Sequence, residues 1–183
     1  MNLPRREVFF SHYKGDEIEV NAFIRDFSSA FIPRILGANN NDAFINSTDT
    51  DYVMQRIRSL YLKDSTVTIV LLGKCTHFRR YIDWKIKSSL KRGTDLPNGL
   101  MGICLPSTNN KVVLPQRIES NWNKGDKNCY AKFWRYPSSV EELHGWIEVA
   151  QKTRLTLAHS INNSREMMRY NGKCRNWELH ING

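Results

Sequence analysis

The chain lacks the marks of several large function classes. No apolar run among its 183 residues approaches the roughly 18 to 20 consecutive residues that a membrane span needs. The start, Met1 to Glu7, carries charges but no apolar stretch ahead of a cleavage site, so export through a signal peptide is not expected. Cysteine is scarce. Cys75, Cys104, Cys129 and Cys174 form no CxxC pair, and no histidine stands at zinc-ligand spacing from two of them. That pattern fits a reducing compartment, and a cytoplasmic location is the expectation. Cys104 lies inside an apolar run and reads as a small buried hydrophobe. No GxGxxG follows the first apolar run and no GxxxxGK(S/T) occurs, which disfavours dehydrogenase and P-loop chemistry. No local pair of carboxylates marks a glycosidase either.

Acidic residues are in the minority: 18 Asp and Glu stand against 27 Lys and Arg, a net charge of +9. Such a charge suits nucleic acid, a plain solvated basic face, or a small polyanion such as a dinucleotide. The aromatics are not interleaved with a basic stripe as in nucleic-acid modules, so nucleic acid ranks last. The length suits one domain with a peripheral extension.

What is present alternates between two periods. Val8-Phe9-Phe10 is a short apolar strand, and a loop follows it. A helix then starts near Asp16 or Glu17, with Val20, Phe23, Ile24, Phe27 and Phe31 at helical spacing and Pro33 and Gly37 closing the segment. Ala43-Phe44-Ile45 is expected as the second strand. Ser47, Thr48 and Asp49 are suitable caps for a helix bearing Val53, Ile57, Leu60 and Tyr61 on one face. Thr66 to Leu72 reads TVTIVLL, as a parallel strand buried on both faces does. A helix is expected from His77 to Lys91, ended by Gly93, and Leu100 to Leu105 is the next buried strand. Ala131 to Tyr136 is the candidate fifth strand, and Pro137-Ser138-Ser139 opens a helix carrying Val140, Leu143, Ile147 and Ala150.

This alternation predicts an α/β, flavodoxin-like, doubly wound parallel sheet of about five strands in the order 2-1-3-4-5, with a C-terminal helical extension. Residues 1–158, including a polar excursion at 106–128, would form the domain, and residues 159–183 the extension. The ligand crevice of such a sheet lies beyond the C-terminal ends of strands one and three. Ser11 to Asp16 and Gly73 to His77 fall there.

The first loop offers Ser11, His12, Tyr13, Lys14 and Asp16. It suits phosphate or ribose, and equally a plain polar loop that caps a helix with Asp16. Cys75 stands near a helix N-terminus, where a thiol loses its proton more readily, but nothing supplies the third group of a Cys/His pair with His77. The next helix is strongly basic, and its Trp84 is a candidate for stacking on a base or for the core.

Several segments together resemble a known family. VFFSHYKGD at Val8 to Asp16, AFINSTD at Ala43 to Asp49, TVTIVLLGKCTHFRRYIDWKIKSSLKRG from Thr66, and GLMGICLP after it are similar to TIR-like proteins of the MTH538 type, also called DUF1863. YAKFWRYPSS and ELHGWIE look like the longer members. The family includes the TIR component of the bacterial Thoeris antiphage system. The resemblance implies cleavage of NAD at the nicotinamide-ribose bond, NAD being the substrate, with no cofactor and no metal. The ADP-ribose part becomes a signal nucleotide, sensed by a separate effector protein. Self-association through TIR surfaces is a further implied partnership.

Phe10, Ser11, His12, Asp16 and Lys85 are expected to border one pocket of nucleotide size, because both loops sit at the carboxyl ends of strands next to the switch point. Tyr13, Phe44, Cys75 and Trp84 join them as candidates for substrate binding. The family carries a catalytic Glu in a pattern like WVDWEI, and here Tyr81-Ile82-Asp83-Trp84-Lys85-Ile86 places Lys85 at that position. Lys cannot accept a hydrogen bond, and it brings positive charge where positive charge develops. Asp83 is the alternative carboxylate, but two residues along a helix it lies about 200° round the axis. The expected function is therefore an NAD glycohydrolase or cyclase with activity reduced or lost through Lys85, or a non-catalytic TIR-like module binding nucleotide or protein.

Overall fold

Val67–Leu72, a run of six residues with every one buried, passes through the middle of the sheet. The computed structural model describes residues 4–35, 49–91 and 96–174. Its five strands are β1 (Arg6–Ser11), β2 (Phe31–Ile35), β3 (Val67–Leu72), β4 (Gly99–Cys104) and β5 (Lys132–Trp134). They lie in the order β2-β1-β3-β4-β5, and every pairing is parallel. The helices α1 (Glu17–Asp26), α2 (Thr50–Ile57), α3 (Arg80–Ser89), α4 (Gln116–Glu119) and α5 (Val140–Thr156) connect and cover them. This is the flavodoxin-like α/β fold with a C-terminal helix.

The second strand is not where the periodicity puts it. α1 ends at Asp26, a 3-10 turn spans Ser28–Ala30, and Phe31 is already extended at φ −153°, ψ 170°. The four-residue spacing of Phe23, Phe27 and Phe31 mimics one helix. In the fold a helix, its cap and a strand bring the same three rings together, with Phe23–Phe27 centroids 5.0 Å and Phe23–Phe31 centroids 6.4 Å apart. Pro33 is tolerated within β2 because, among the described residues, β2 lies at the edge of the sheet and pairs with β1 alone. Ala43-Phe44-Ile45 lies outside the described residues, as do Ser47 and Thr48.

Alternation along the strands divides the core. Val8, Phe10, Ile69 and Leu71 pack with Val20, Phe23, Leu143 and Ile147 under α1 and α5. Phe9 packs with Val53, Ile57 and Trp84 beneath α2 and α3, and Val70 and Leu72 meet Ile82, Ile86 and Leu90 of α3. Each large side chain so buried contributes about 1.5–3 kcal/mol. The caps behave as their chemistry requires. The Asp49 carboxylate accepts from the Asp51 and Tyr52 amides, and the Ser139 hydroxyl accepts from the Glu142 amide. Gly99 begins β4 where any Cβ would collide with the carbonyl of Ala150 on α5.

Among the described residues beyond α5, none past the short 3-10 turn Ala158–Ser160 is helical. Residues 161–174 run as an irregular strap along α3, from its C-terminal end to the turn before its start. Lys87 Nζ donates to the Arg165 carbonyl, Trp84 Nε1 to the Met168 carbonyl, and the Gly172 amide to the Phe78 carbonyl. A disulfide joins Cys75 to Cys174, closing a separation of 99 residues. The two cysteines are too far apart in sequence for local spacing to pair them, and a cysteine pattern that fits a reducing compartment does not lead one to expect the bond. Among the described residues no helix is long and apolar enough to cross a membrane.

Candidate functional site

β1 and β3 are neighbours, with Ser11 opposite Val70. Their loops therefore open side by side at the C-terminal edge of the sheet. The first loop passes through His12 and Tyr13 into a 3-10 turn, Lys14–Asp16, and on into α1. The second passes Gly73 and Cys75 into a 3-10 turn, Thr76–Phe78, and on into α3.

Asp16 ties the two loops together. Its carboxylate occupies the space a Cβ at position 73 would need, so a side chain there would have to displace the carboxylate from between the loops. Thr76 Oγ1 accepts from the Gly73 amide at 2.8 Å and reaches Asp16 Oδ2 at 3.5 Å. The Asp16 side chain makes no capping bond to α1, contrary to the reading of it as a cap. Burial first, then the charge of Glu19, pushes the Asp16 carboxyl up to about 6, against the opposing pull of Thr76 and Arg79. The Arg79 guanidinium lies over the Tyr13 ring, 4.1 Å from its centroid.

The inner part of the crevice is basic. Ser11 is fully buried at the end of β1, and its hydroxyl has no partner among the described residues. His12 follows, half-buried, with Nδ1 likewise buried and unpaired. Lys85 projects from α3 and is only 7% exposed. Burial lowers its ammonium to about 8. Burial, then the nearby Lys85 charge, lowers the His12 imidazole to about 4, so it is neutral at physiological pH.

These shifts carry opposite pH signatures. A carboxyl raised from its ordinary value near 3.8 to about 6 favours the folded state below 3.8, and that contribution is lost as pH rises through 6. A depressed imidazole favours the folded state above 6.5, and that contribution is lost as pH falls toward 4. Asp16→Asn is therefore expected to become more stable relative to the parent as pH rises from about 4 to about 6. His12→Gln is expected to gain on the parent as pH falls through the same region. Thermal melts of the three proteins across that range check both signs, and parallel curves would refute them.

The structure brings Ser11, His12, Asp16 and Lys85 to one end of the sheet, with Tyr13 at its rim under Arg79. Other sequence candidates lie elsewhere. Phe10 faces the opposite side of the sheet and is a core residue, its ring edge-on to Phe31 at 4.8 Å. Trp84 is buried against Phe9 and the strap, so it offers no free face to a base. Cys75 is in the disulfide and has no thiol to ionise. Phe44 lies outside the described residues. Asp83 points away from this group, into a buried ion pair with Arg117 at 2.7 Å.

Gly73, Thr76 and Arg79 complete the site without having been singled out for it. The turn they occupy was legible, but their meeting with Asp16 and Tyr13 is long-range. A separate cleft of about 720 Å³ opens at the other end of the sheet, lined by Arg58, Lys63, Lys91, Asn98 and Arg154 among others. Both its guanidiniums already donate to carbonyls, Arg58 to Ser88 and Lys91, Arg154 to Pro97. Among the described residues no cluster of three or more His, Cys, Asp or Glu side chains is placed to hold a metal ion.

No curated protein matches the chain. A family described as the TIR-like domain of Thoeris protein ThsB matches residues 9–110. That stretch is more than half of the chain. It runs from within β1 to the turn after β4, and it contains both loops and Lys85. With the five-stranded parallel order and the crevice at β1 and β3, the match shows that the chain belongs to the TIR-like domain family of Thoeris protein ThsB.

Proposed function

We propose that the chain acts in bacterial antiphage defence as a cytoplasmic TIR-like protein of the NAD-processing kind. It takes NAD or a related dinucleotide into the crevice of Ser11, His12, Tyr13 and Asp16. In its active form such a protein releases nicotinamide and turns the ADP-ribose part into a signal nucleotide for a separate effector. Here turnover is low or absent because of Lys85.

The observation that carries this reading is the setting of Lys85. It is buried beside His12 at the crevice, and no carboxylate among the described residues is paired with it. Loss of nicotinamide leaves an oxocarbenium-like ribose, which a carboxylate at this position would stabilise and an ammonium repels. The same observation favours the second reading, a non-catalytic module that keeps the nucleotide site and has lost cleavage.

Lys85→Glu separates the two. Removing one electrostatic contact of this type costs other enzymes about 10² to 10³ in rate, so the variant is expected to release nicotinamide from NAD faster by a similar factor. The assay measures nicotinamide per hour for both proteins, at low and high protein concentration and in cells challenged with phage. Because position 85 is buried, circular dichroism and melting must show that the variant is folded. Rates at the buffer blank for both folded proteins throughout would leave the non-catalytic module. Cleavage by the parent would overturn the role given to Lys85 and make Asp16 the carboxylate to mutate next.

A further inference from the structure

A buried ammonium without a counter-charge is costly unless something else supplies the negative charge. Three observations place that something. Residues alternate across a strand, so Ser11 shares the face of Phe9, which is covered by Trp84 of α3. Its neighbour in register, Val70, also packs against α3. Lys85 lies on that helix, buried, next in sequence to Trp84 and close enough for its charge to bear on His12. The Ser11 hydroxyl and His12 Nδ1 are both buried and unpartnered.

We propose that Ser11, His12 and Lys85 form an anion site that receives the phosphate of a nucleoside monophosphate. The ammonium supplies charge, the hydroxyl and the imidazole N–H donate, and none of the three groups carries a negative charge that would repel the phosphate, with His12 carrying its proton on the nitrogen facing the ligand. Asp16, at the rim, accepts from sugar hydroxyls, and the Arg79–Tyr13 pair offers a flat surface to the base. The site discriminates by charge: a cationic nicotinamide end is repelled where a phosphate is held. The proposal shares with the preceding reading only the crevice as a nucleotide site, and not the cleavage of NAD.

Calorimetric titration with inorganic phosphate, AMP and adenosine tests it. AMP is expected to bind, with phosphate competing for the same site and adenosine binding at least about tenfold more weakly. Lys85→Met and Lys85→Gln are each expected to weaken AMP by about tenfold to a hundredfold and to leave adenosine unchanged. Both variants remove a buried charge and are expected to fold. A structural lysine would not move a second readout: the His12 imidazole, followed by NMR, is expected to titrate at higher pH in saturating phosphate than without it. Equal affinity for AMP and adenosine, AMP binding unchanged in either Lys85 variant, or no binding of phosphate and AMP at millimolar concentration would overturn the proposal. Nicotinamide release is a separate measurement. AMP binding that depends on Lys85, with no cleavage by Lys85→Glu, sinks the NAD-processing reading and leaves the anion site standing. Cleavage by that variant with no phosphate bound by the parent does the reverse.

Discussion

Asp83→Leu is expected to cost about 3–5 kcal/mol of folding stability, because it leaves a charged guanidinium buried without its counter-ion. Arg117 is 0% exposed. Its Nε donates to Asp83 Oδ1 at 2.7 Å and one terminal nitrogen to Oδ2 at 3.3 Å. The terminal nitrogens also donate to the Asn163 side chain at 3.1 Å and the Glu166 carbonyl at 2.9 Å. Asp83 Oδ2 accepts in turn from the Met168 amide at 2.9 Å. One ion pair therefore joins α3, α4 and the strap. Arg117→Met is expected to cost a comparable amount by stranding the carboxylate. The double variant Asp83→Leu with Arg117→Met is expected to recover a large part of the loss, since it leaves no buried charge. Urea unfolding of the four proteins gives the cycle. Single variants within about 1 kcal/mol of the parent would show that water reaches the pair and replaces the lost partner.

Reduction of Cys75–Cys174 is the second large effect. The bond closes a separation of 99 residues, with Cα atoms 5.5 Å apart, within the usual range of about 4.4–6.8 Å. A cross-link over about 100 residues restricts the unfolded chain by at most about 4.7 kcal/mol, and measured values are more often about 2–4 kcal/mol. Cys174→Ser, or reductant added to the parent, is expected to lower the unfolding free energy by about that amount. The strap provides an internal control. Its bonds to Trp84, Lys87 and Arg117 do not involve the sulfurs, so the Met168 amide, bonded to Asp83, is expected to stay protected from exchange when the Gly172 amide, bonded to the Phe78 carbonyl, loses protection. An unfolding midpoint unchanged by reductant would mean that the bond does not constrain the chain in solution.

Much of the fold was legible in the sequence. Thr66 to Leu72 and Leu100 to Leu105 each run apolar without alternation, and a segment so short can hide both faces only inside a sheet covered by helices on either side. Alternation with helical segments then implies parallel strands, right-handed crossovers and a crevice at strands one and three. Asp49 and Ser139 were recognisable as caps because a short acceptor side chain ahead of an amphipathic run meets a local need of the helix end. The loops Ser11 to Asp16 and Gly73 to His77 could be placed by the same topological rule, before any contact between them was known.

What the tertiary structure alone decided concerns partners distant in sequence. Phe31 could sit on a helix or in a strand, because a four-residue aromatic spacing is satisfied by either, and the edge position beside β1 settled it. Asp83 became structural because Arg117, 34 residues away, reaches it. Cys75 ceased to be a candidate thiol because the strap returns Cys174 to it. Lys85 could be matched to a family position from its neighbours in sequence, but its burial, its lowered ammonium and its effect on His12 depend on what packs around α3. Desolvation is set by everything near a charge in space. Residue type and spacing tell which groups are present, and only the packed chain determines which of them are left without water and without a partner.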